Sequence, residues 1–151
     1  MDRPELRVAD LSDCDALLNI EAMCFSHSGD GFNRRQMRYL LSRAKAKTLL
    51  VMQDGDTAGY CSVLLPQHPR PARLYSVALA PKHRGRGCAG FLMNAVLAEA
   101  SAKGYARIRL EVSEQNGAAQ KLYARFGFER IRVIPGYYAD GSGAIRMEKT
   151  L

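Results

Sequence analysis

Residues 73–104 read RLYSVALAPKHRGRGCAGFLMNAVLAEASAKG, and a change of rhythm inside them decides how the chain folds. Arg73 to Leu79 is short and largely apolar, as a central strand is. Further on, Phe91, Leu92, Ala95, Val96 and Ala100 recur at helical spacing, which predicts a long helix from about Ala89 to Lys103 with Gly104 as its left-handed cap. Between them, Ala80 to Gly87 is a loop carrying one proline, two glycines and four basic or histidine side chains. A strand, a glycine-rich loop and a helix in this order leave backbone N–H groups unpaired at the positive end of the helix dipole. Phosphate binds in such a place. Arg84 and Arg86 add fixed charge that can fork onto phosphate oxygens, which suits a ligand with a pyrophosphate.

Working outward, Arg107 to Val112 reads as a strand and Asn116 to Arg125 as a short helix ending at Gly127. Two last strands, about 128–134 and 144–149, are split by Pro135 to Gly143. Upstream, residues 5–8 form a strand, and Ser12-Asp13-Cys14-Asp15 offers a helix start, a hydroxyl with a carboxylate three places on. Leu17, Leu18, Ala22 and Phe25 give that helix an apolar face. A polar loop at 26–31 follows, and Asn33 caps a second helix through about Arg43, with Met37, Leu40 and Leu41 on one face. Strands Thr48 to Gln53 and Thr57 to Leu65 are joined by Asp54-Gly55-Asp56, a tight hairpin turn, and Pro66 to Pro71 is a loop. The order β-α-α-β-β-β-α-β-α-β-β predicts an α/β fold with a mixed sheet and helices on both faces.

The chain has 151 residues, the size of one domain, so residues 1–151 are expected to fold around one core. Hydrophobic residues make up 47% and charged ones 25%, which excludes a disordered or fibrous chain. Lysine and arginine number 22 against 15 acidic residues, a formal charge of +7, and point to an anionic partner. The first residues, MDRPELRVADLSD, lack the apolar run of a signal peptide, and no segment approaches the roughly 18 apolar residues of a membrane helix. A cytoplasmic protein without membrane contact is therefore expected. Cys14, Cys24, Cys61 and Cys88 form no Cys-x-x-Cys pair, and His27, His68 and His83 show no ligand spacing with them, so no metal site is expected.

Gly85-Arg86-Gly87-Cys88-Ala89-Gly90 also satisfies the G-x-G-x-x-G pattern of dinucleotide sites, and Glu111 lies about twenty residues past the last glycine. That reading needs the first glycine to turn the chain straight off the strand, whereas Ala80 to Arg84 intervene here. It also needs more parallel strands than the rest of the chain supplies. Another alternative is a basic nucleic-acid-binding module built on Arg125, Arg130, Arg132 and the 82–86 cluster. Those arginines alternate with apolar residues and lack an aromatic platform, so nucleic acid is not the expected partner.

The run Arg84-Gly85-Arg86-Gly87-Cys88-Ala89, preceded by Val77-Ala78-Leu79 and Pro81, resembles the pyrophosphate loop of the GNAT N-acetyltransferase superfamily. The match continues through Leu110-Glu111-Val112, Asn116 with Ala119, Leu122-Tyr123 and Gly127-Phe128. Within the superfamily, Tyr137-Tyr138-Ala139-Asp140-Gly141 followed by Ala144 and Met147 is similar to the ending of RimI-like protein N-terminal acetyltransferases, which act on ribosomal-protein alanine. Those enzymes usually carry an acidic residue where this chain has Gly143. The resemblance implies a GNAT fold whose strands 73–79 and 107–112 are parallel and splay around acetyl-CoA. It implies that Val77, Ala78 and Leu79 bind the pantetheine arm, that Arg84, Gly85, Arg86, Gly87, Cys88, Ala89 and Gly90 cradle the pyrophosphate, and that Asn116 holds the pantetheine or the neighbouring backbone.

The implied reaction is acetyl transfer to a primary amine, either a protein or peptide N-terminus or a small-molecule amine. An α-amino group, with pKa about 7.7–8.0, is already partly neutral at pH 7, whereas a lysine at about 10.4 is almost wholly charged. An N-terminus thus needs only a modest base, and Glu111 is the candidate. Tyr123 is the candidate proton donor to the departing thiolate. Tyr137 and Tyr138 are candidate acceptor-binding residues, since flat amphipathic rings give contact area at low entropic cost. Cys88 reads as a small spacer rather than a nucleophile, because no histidine supports its thiol.

Overall fold

Alternation fixes the sheet: in β2 (Ala46–Gln53), Leu49 and Val51 face one side and Leu50 the other, and all three are buried. A strand buried on both faces belongs in the middle of a sheet covered by helices on both sides. The computed structural model describes residues 3–25, 33–42 and 45–151. The expected loop at 26–31, the Arg43 end of the second helix and the Phe25 side chain lie outside the described residues.

The remaining strands are β1 (Glu5–Val8), β3 (Asp56–Leu64), β4 (Ala72–Leu79), β5 (Arg107–Ser113), β6 (Glu129–Ile134) and β7 (Ala144–Thr150). The helices are α1 (Cys14–Phe25), α2 (Arg34–Ser42), α3 (Cys88–Ala102) and α4 (Gly117–Arg125). Strand order is β1-β2-β3-β4-β5-β7-β6, and every neighbouring pair is antiparallel except β4 with β5. A doubly wound dinucleotide sheet needs a run of parallel strands, so this pairing excludes that alternative. Asp54 and Gly55 both take positive φ, 54° and 81°, which is the turn that the β2–β3 hairpin was expected to need.

One face of the sheet packs on α3 and α4 through Leu92, Val96, Ile108, Leu110 and Met147, all at most 2% exposed. The other face packs on α1 and α2 through Leu17, Ile20, Met37, Leu50 and Tyr60. Two helix faces differ from expectation. In α1 the buried stripe is Cys14, Leu17, Ile20 and Glu21, with Ala22 exposed. In α3, Met93 is buried and Phe91 is 38% exposed, because the stripe that meets the sheet runs Cys88, Leu92, Val96, Ala100. Helix α1 starts at Cys14, inside the expected Ser12–Asp15 stretch, but the cap that leads into it is Asp10 rather than Ser12. Asp10 accepts from the Ser12 N–H at 2.9 Å, Asp13 accepts from the Asp10 N–H at 2.9 Å, and a 3-10 turn at Leu11–Asp13 leads into α1.

Where α1 and α2 stop, the face of β5, β7 and β6 is left without a helix. Side chains there neutralise one another across strands: Glu148 takes Arg109 at 2.8 Å and Arg107 at 3.3 Å, and Arg146 reaches Glu111 at 3.2 Å. Arg130 turns to the opposite face, where it donates to Gln120 at 2.7 Å, so the arginines of β6 do not form one basic stripe. No helix among the described residues is long and apolar enough to cross a membrane.

Candidate active site

The parallel pair β4/β5 holds for only two positions, Ala72 opposite Ile108 and Arg73 opposite Arg109. Just beyond, β4 carries a bulge: Leu74 pairs with Val63 and Ser76 with Ser62, which leaves Tyr75 over. A bulge bends its strand and sharpens the twist. Here it turns β4 away from β5 and opens a gap of about 300 Å³. From Leu74 onward the β5-facing edge of β4 has no strand partner, so its backbone groups are available to an extended amide chain in the gap.

Four elements aim side chains into this gap. Glu111 comes from β5, Tyr123 from α4, Tyr137 and Tyr138 from the loop before β7, and Glu21 from α1. Glu111 is only 5% exposed and is held on both sides, one oxygen by Arg73 of β4 and the other by Arg146 of β7. The carboxylate is thus fixed in place, and each oxygen keeps a second lone pair. Burial pushes the Tyr123 phenol well above its ordinary value, so it stays protonated and presents an O–H. Its ring packs edge-on against Phe128 at 5.9 Å. Tyr137 and Tyr138 meet edge to face at 5.0 Å, and the Tyr137 hydroxyl accepts from Arg73 at 3.2 Å.

Below the gap, two glycines shape the loop into α3. Gly85 and Gly87 take φ of 76° and 82°, conformations that a side chain disfavours, and a Cβ at either would meet nothing within 4 Å. Glycine is therefore required for backbone conformation, and the space above it stays open. Gly87 caps α3 without any side-chain hydrogen bond, leaving the first-turn N–H groups of Cys88, Ala89 and Gly90 without intrahelical acceptors. The Cys88 side chain itself is buried in the core and its thiol is raised by burial, so only its backbone faces the loop, in keeping with a spacer.

The arrangement qualifies several expected roles. Arg86 pairs with Asp54 at 2.9 Å, and Arg84 donates to the Leu79 carbonyl at 3.2 Å and the Cys24 sulfur at 3.3 Å. Both guanidiniums thus already hold protein partners beside the loop. Val77 lines the gap, whereas Ala78 is buried against α1 and Leu79 has its carbonyl occupied. Asn116 lines the gap and caps α4, accepting from the Ala119 N–H at 3.0 Å. Gly143 stands against Glu114, whose carboxylate accepts the Gly143 N–H at 3.2 Å and fills the space a side chain there would take.

Sequence reasoning missed Glu21, Arg73 and Arg146. Glu21 is 3% exposed, and it accepts from the Tyr60 hydroxyl and, at 3.4 Å, from Ser76. Its signal was present: a charged residue four places after Leu17, on the apolar stripe of α1. Arg73 and Arg146 had none, because their meeting at Glu111 depends on β7 lying beside β5. Among the described residues no group of His, Cys, Asp or Glu is placed to hold a metal ion.

The comparisons with known proteins agree with this geometry. A Bacillus subtilis (strain 168) protein, provisionally named a ribosomal protein bS18-alanine N-acetyltransferase, is 31% identical over 144 residues, covering 93% of this chain and 91% of its own length. The crystal structure of the ribosomal-protein-S18-alanine N-acetyltransferase from Escherichia coli superposes with a TM-score of 0.87 at 22% identity, covering 98% of this chain and 94% of that one. The PaiA N-acetyltransferase from Thermoplasma acidophilum, solved in complex with coenzyme A, gives 0.82 at 16% identity over 99% and 100% of the two chains. A family profile described as the acetyltransferase (GNAT) family matches residues 14–128, and the chain belongs to that family of acyltransferases.

Proposed function

We propose that residues 1–151 act as one domain that transfers acetyl from acetyl-CoA to the α-amino group of a protein or peptide, with ribosomal-protein-like ends as the favoured acceptors. The observation that carries this reading is the gap itself: two strands paired at only two positions, then parted around a cavity whose walls hold a fixed carboxylate and a protonated phenol. The chain fits the donor. Open N–H groups at Gly87 to Gly90 suit the pyrophosphate, and the unpaired edge of β4 suits the amides of the pantetheine arm. The names of the Bacillus subtilis and Escherichia coli relatives support the acceptor class.

Within that frame Glu111, held in place by Arg73 and Arg146, receives the proton of the incoming amine directly or through a water. Glu21, the second acidic side chain at the gap, accepts from the Tyr60 and Ser76 hydroxyls at its wall. Tyr123 donates its hydrogen bond as charge builds on the leaving sulfur. Tyr137 and Tyr138 flank the acceptor.

The test is a panel of peptides with varied first residues, including alanine and serine ends, set beside small amines and followed by mass and free-thiol release. Acetylation of peptide α-amines in preference to small amines is the expected result. Turnover of small amines alone would replace the acceptor class.

A further inference from the structure

A second hollow, of about 420 Å³, opens on the uncovered face of the sheet at the closed end of the gap. Its ionic wall is Lys45, Arg70, Arg73, Arg109, Glu111 and Arg146, five cations to one carboxylate. Counting also Glu148, which pairs with Arg109 from outside the hollow, the cations still exceed the carboxylates by three. Arg73 and Arg146 share the single carboxylate of Glu111, and Lys45 and Arg70 have no ion-pair partner among the described residues. Leu64, Pro66 and Pro71 supply an apolar floor. A concave surface with surplus charge of one sign over low-dielectric walls focuses its field and concentrates the opposite charge.

Arg73 and Glu111 line both hollows, so one ion pair is the partition between them. An acceptor whose α-amine reaches Glu111 has its following residues beside that partition. Extended chain advances about 3.3–3.6 Å per residue, which brings residues two to four of the acceptor over the basic hollow. Guanidinium groups bind carboxylates through paired, charge-assisted hydrogen bonds, and these carry most of the discrimination such a site provides.

We propose that this hollow is an acceptor subsite that takes a carboxylate, an acidic side chain at position two, three or four of the peptide being acetylated. The subsite rests on the peptide-acceptor reading above and specifies it. Lys45 and Arg70 are specificity residues, with no hydrogen bond or ion pair to Glu111 or Tyr123, and their removal leaves the transfer step intact.

The experiment compares peptides identical but for Asp or Asn at each of positions two to four, with the parent chain and with the Lys45→Ala/Arg70→Ala double variant. In the parent, at least one Asp peptide is expected to exceed its Asn twin by about tenfold in kcat/KM through a lower KM, the scale of a charge-assisted contact. In the double variant that ratio falls toward one, while turnover of the Asn peptide is unchanged and serves as the folding control. Equal rates for Asp and Asn peptides in the parent overturn the subsite alone. A double variant that keeps the ratio, or that loses both peptides in proportion, also overturns it. Free succinate that inhibits Asp and Asn peptides alike, with no Asp preference, marks a site for free anions instead. Acetylation of no peptide at all overturns the acceptor reading, and the subsite with it.

Discussion

Glu111 is held by a guanidinium from each flanking strand, Arg73 of β4 and Arg146 of β7, and both oxygens point to fixed partners. Such a group is well placed to receive a proton from an ammonium group that enters the gap. Glu111→Gln is expected to lower kcat by about a hundredfold. The loss is larger near pH 6 than near pH 9, because a free α-amine of pKa about 7.7–8.0 arrives mostly protonated at the lower value. A pH profile of the variant on one peptide checks this. Tyr123 behaves differently. Its phenol is raised by burial, so it stays protonated through the working range. Tyr123→Phe is therefore expected to lower kcat by about ten- to a hundredfold with acetyl-CoA affinity unchanged and the alkaline limb of the pH profile unmoved. Steady-state kinetics on both substrates would show it. Glu111 and Tyr123 were legible because they sit in linked motifs of fixed spacing, Leu110-Glu111-Val112 and Leu122-Tyr123. Their electrostatic setting was not, since it is made by residues 38 and 35 positions away from Glu111 in the chain.

At the level of elements, the loop into α3 is the part the sequence described best. Positive φ at Gly85 and Gly87 follows from the chain having to turn before a helix whose N–H groups stay open. Gly87→Ala is expected to cost about 1–2 kcal/mol of stability, the strain of a left-handed Cβ, and to weaken coenzyme A binding. Denaturant midpoints and titration calorimetry measure the two effects. The capping residue before α1 was misread, Ser12 for Asp10, because two overlapping signals compete there, and Asp10 wins since its side chain reaches the Ser12 N–H. The Arg7 guanidinium, at 2.6 Å, holds the Asp13 carboxyl below the usual range. A lowered carboxyl stabilises above its unfolded value, about 3.9, and that contribution fades as pH falls through the folded value. Asp13→Asn keeps an acceptor for the Asp10 N–H but loses the Arg7 pair, and is thus expected to lower stability at pH 7 by about 1 kcal/mol, the scale of a half-exposed charge-assisted hydrogen bond. The gap between parent and variant closes toward pH 3, and thermal melts across that range check the sign.

Over the whole molecule, seven strands order themselves so that one junction, β4 with β5, is weakly paired while both flanks are firmly antiparallel. That order cannot be read from any single segment. Of that order only the parting of β4 from β5 was legible, and only through the family resemblance, whereas the two-sided burial of β2 follows from Leu49-Leu50-Val51. The uncovered face of β5, β7 and β6 was invisible to sequence reasoning, because its arginines become a surface only when those strands lie side by side. A charge of +7 on the whole chain draws an anionic coenzyme, so the rate of its association is expected to fall as ionic strength rises, a dependence that stopped-flow binding measures.

Calorimetric titration of the parent chain with coenzyme A is the most direct measurement of whether the parted strands and the Gly85–Gly87 turn form a donor site. Saturable heat at one coenzyme per chain, weakened in Gly87→Ala, is the predicted result. No heat in the parent, or equal binding by both chains, would contradict it.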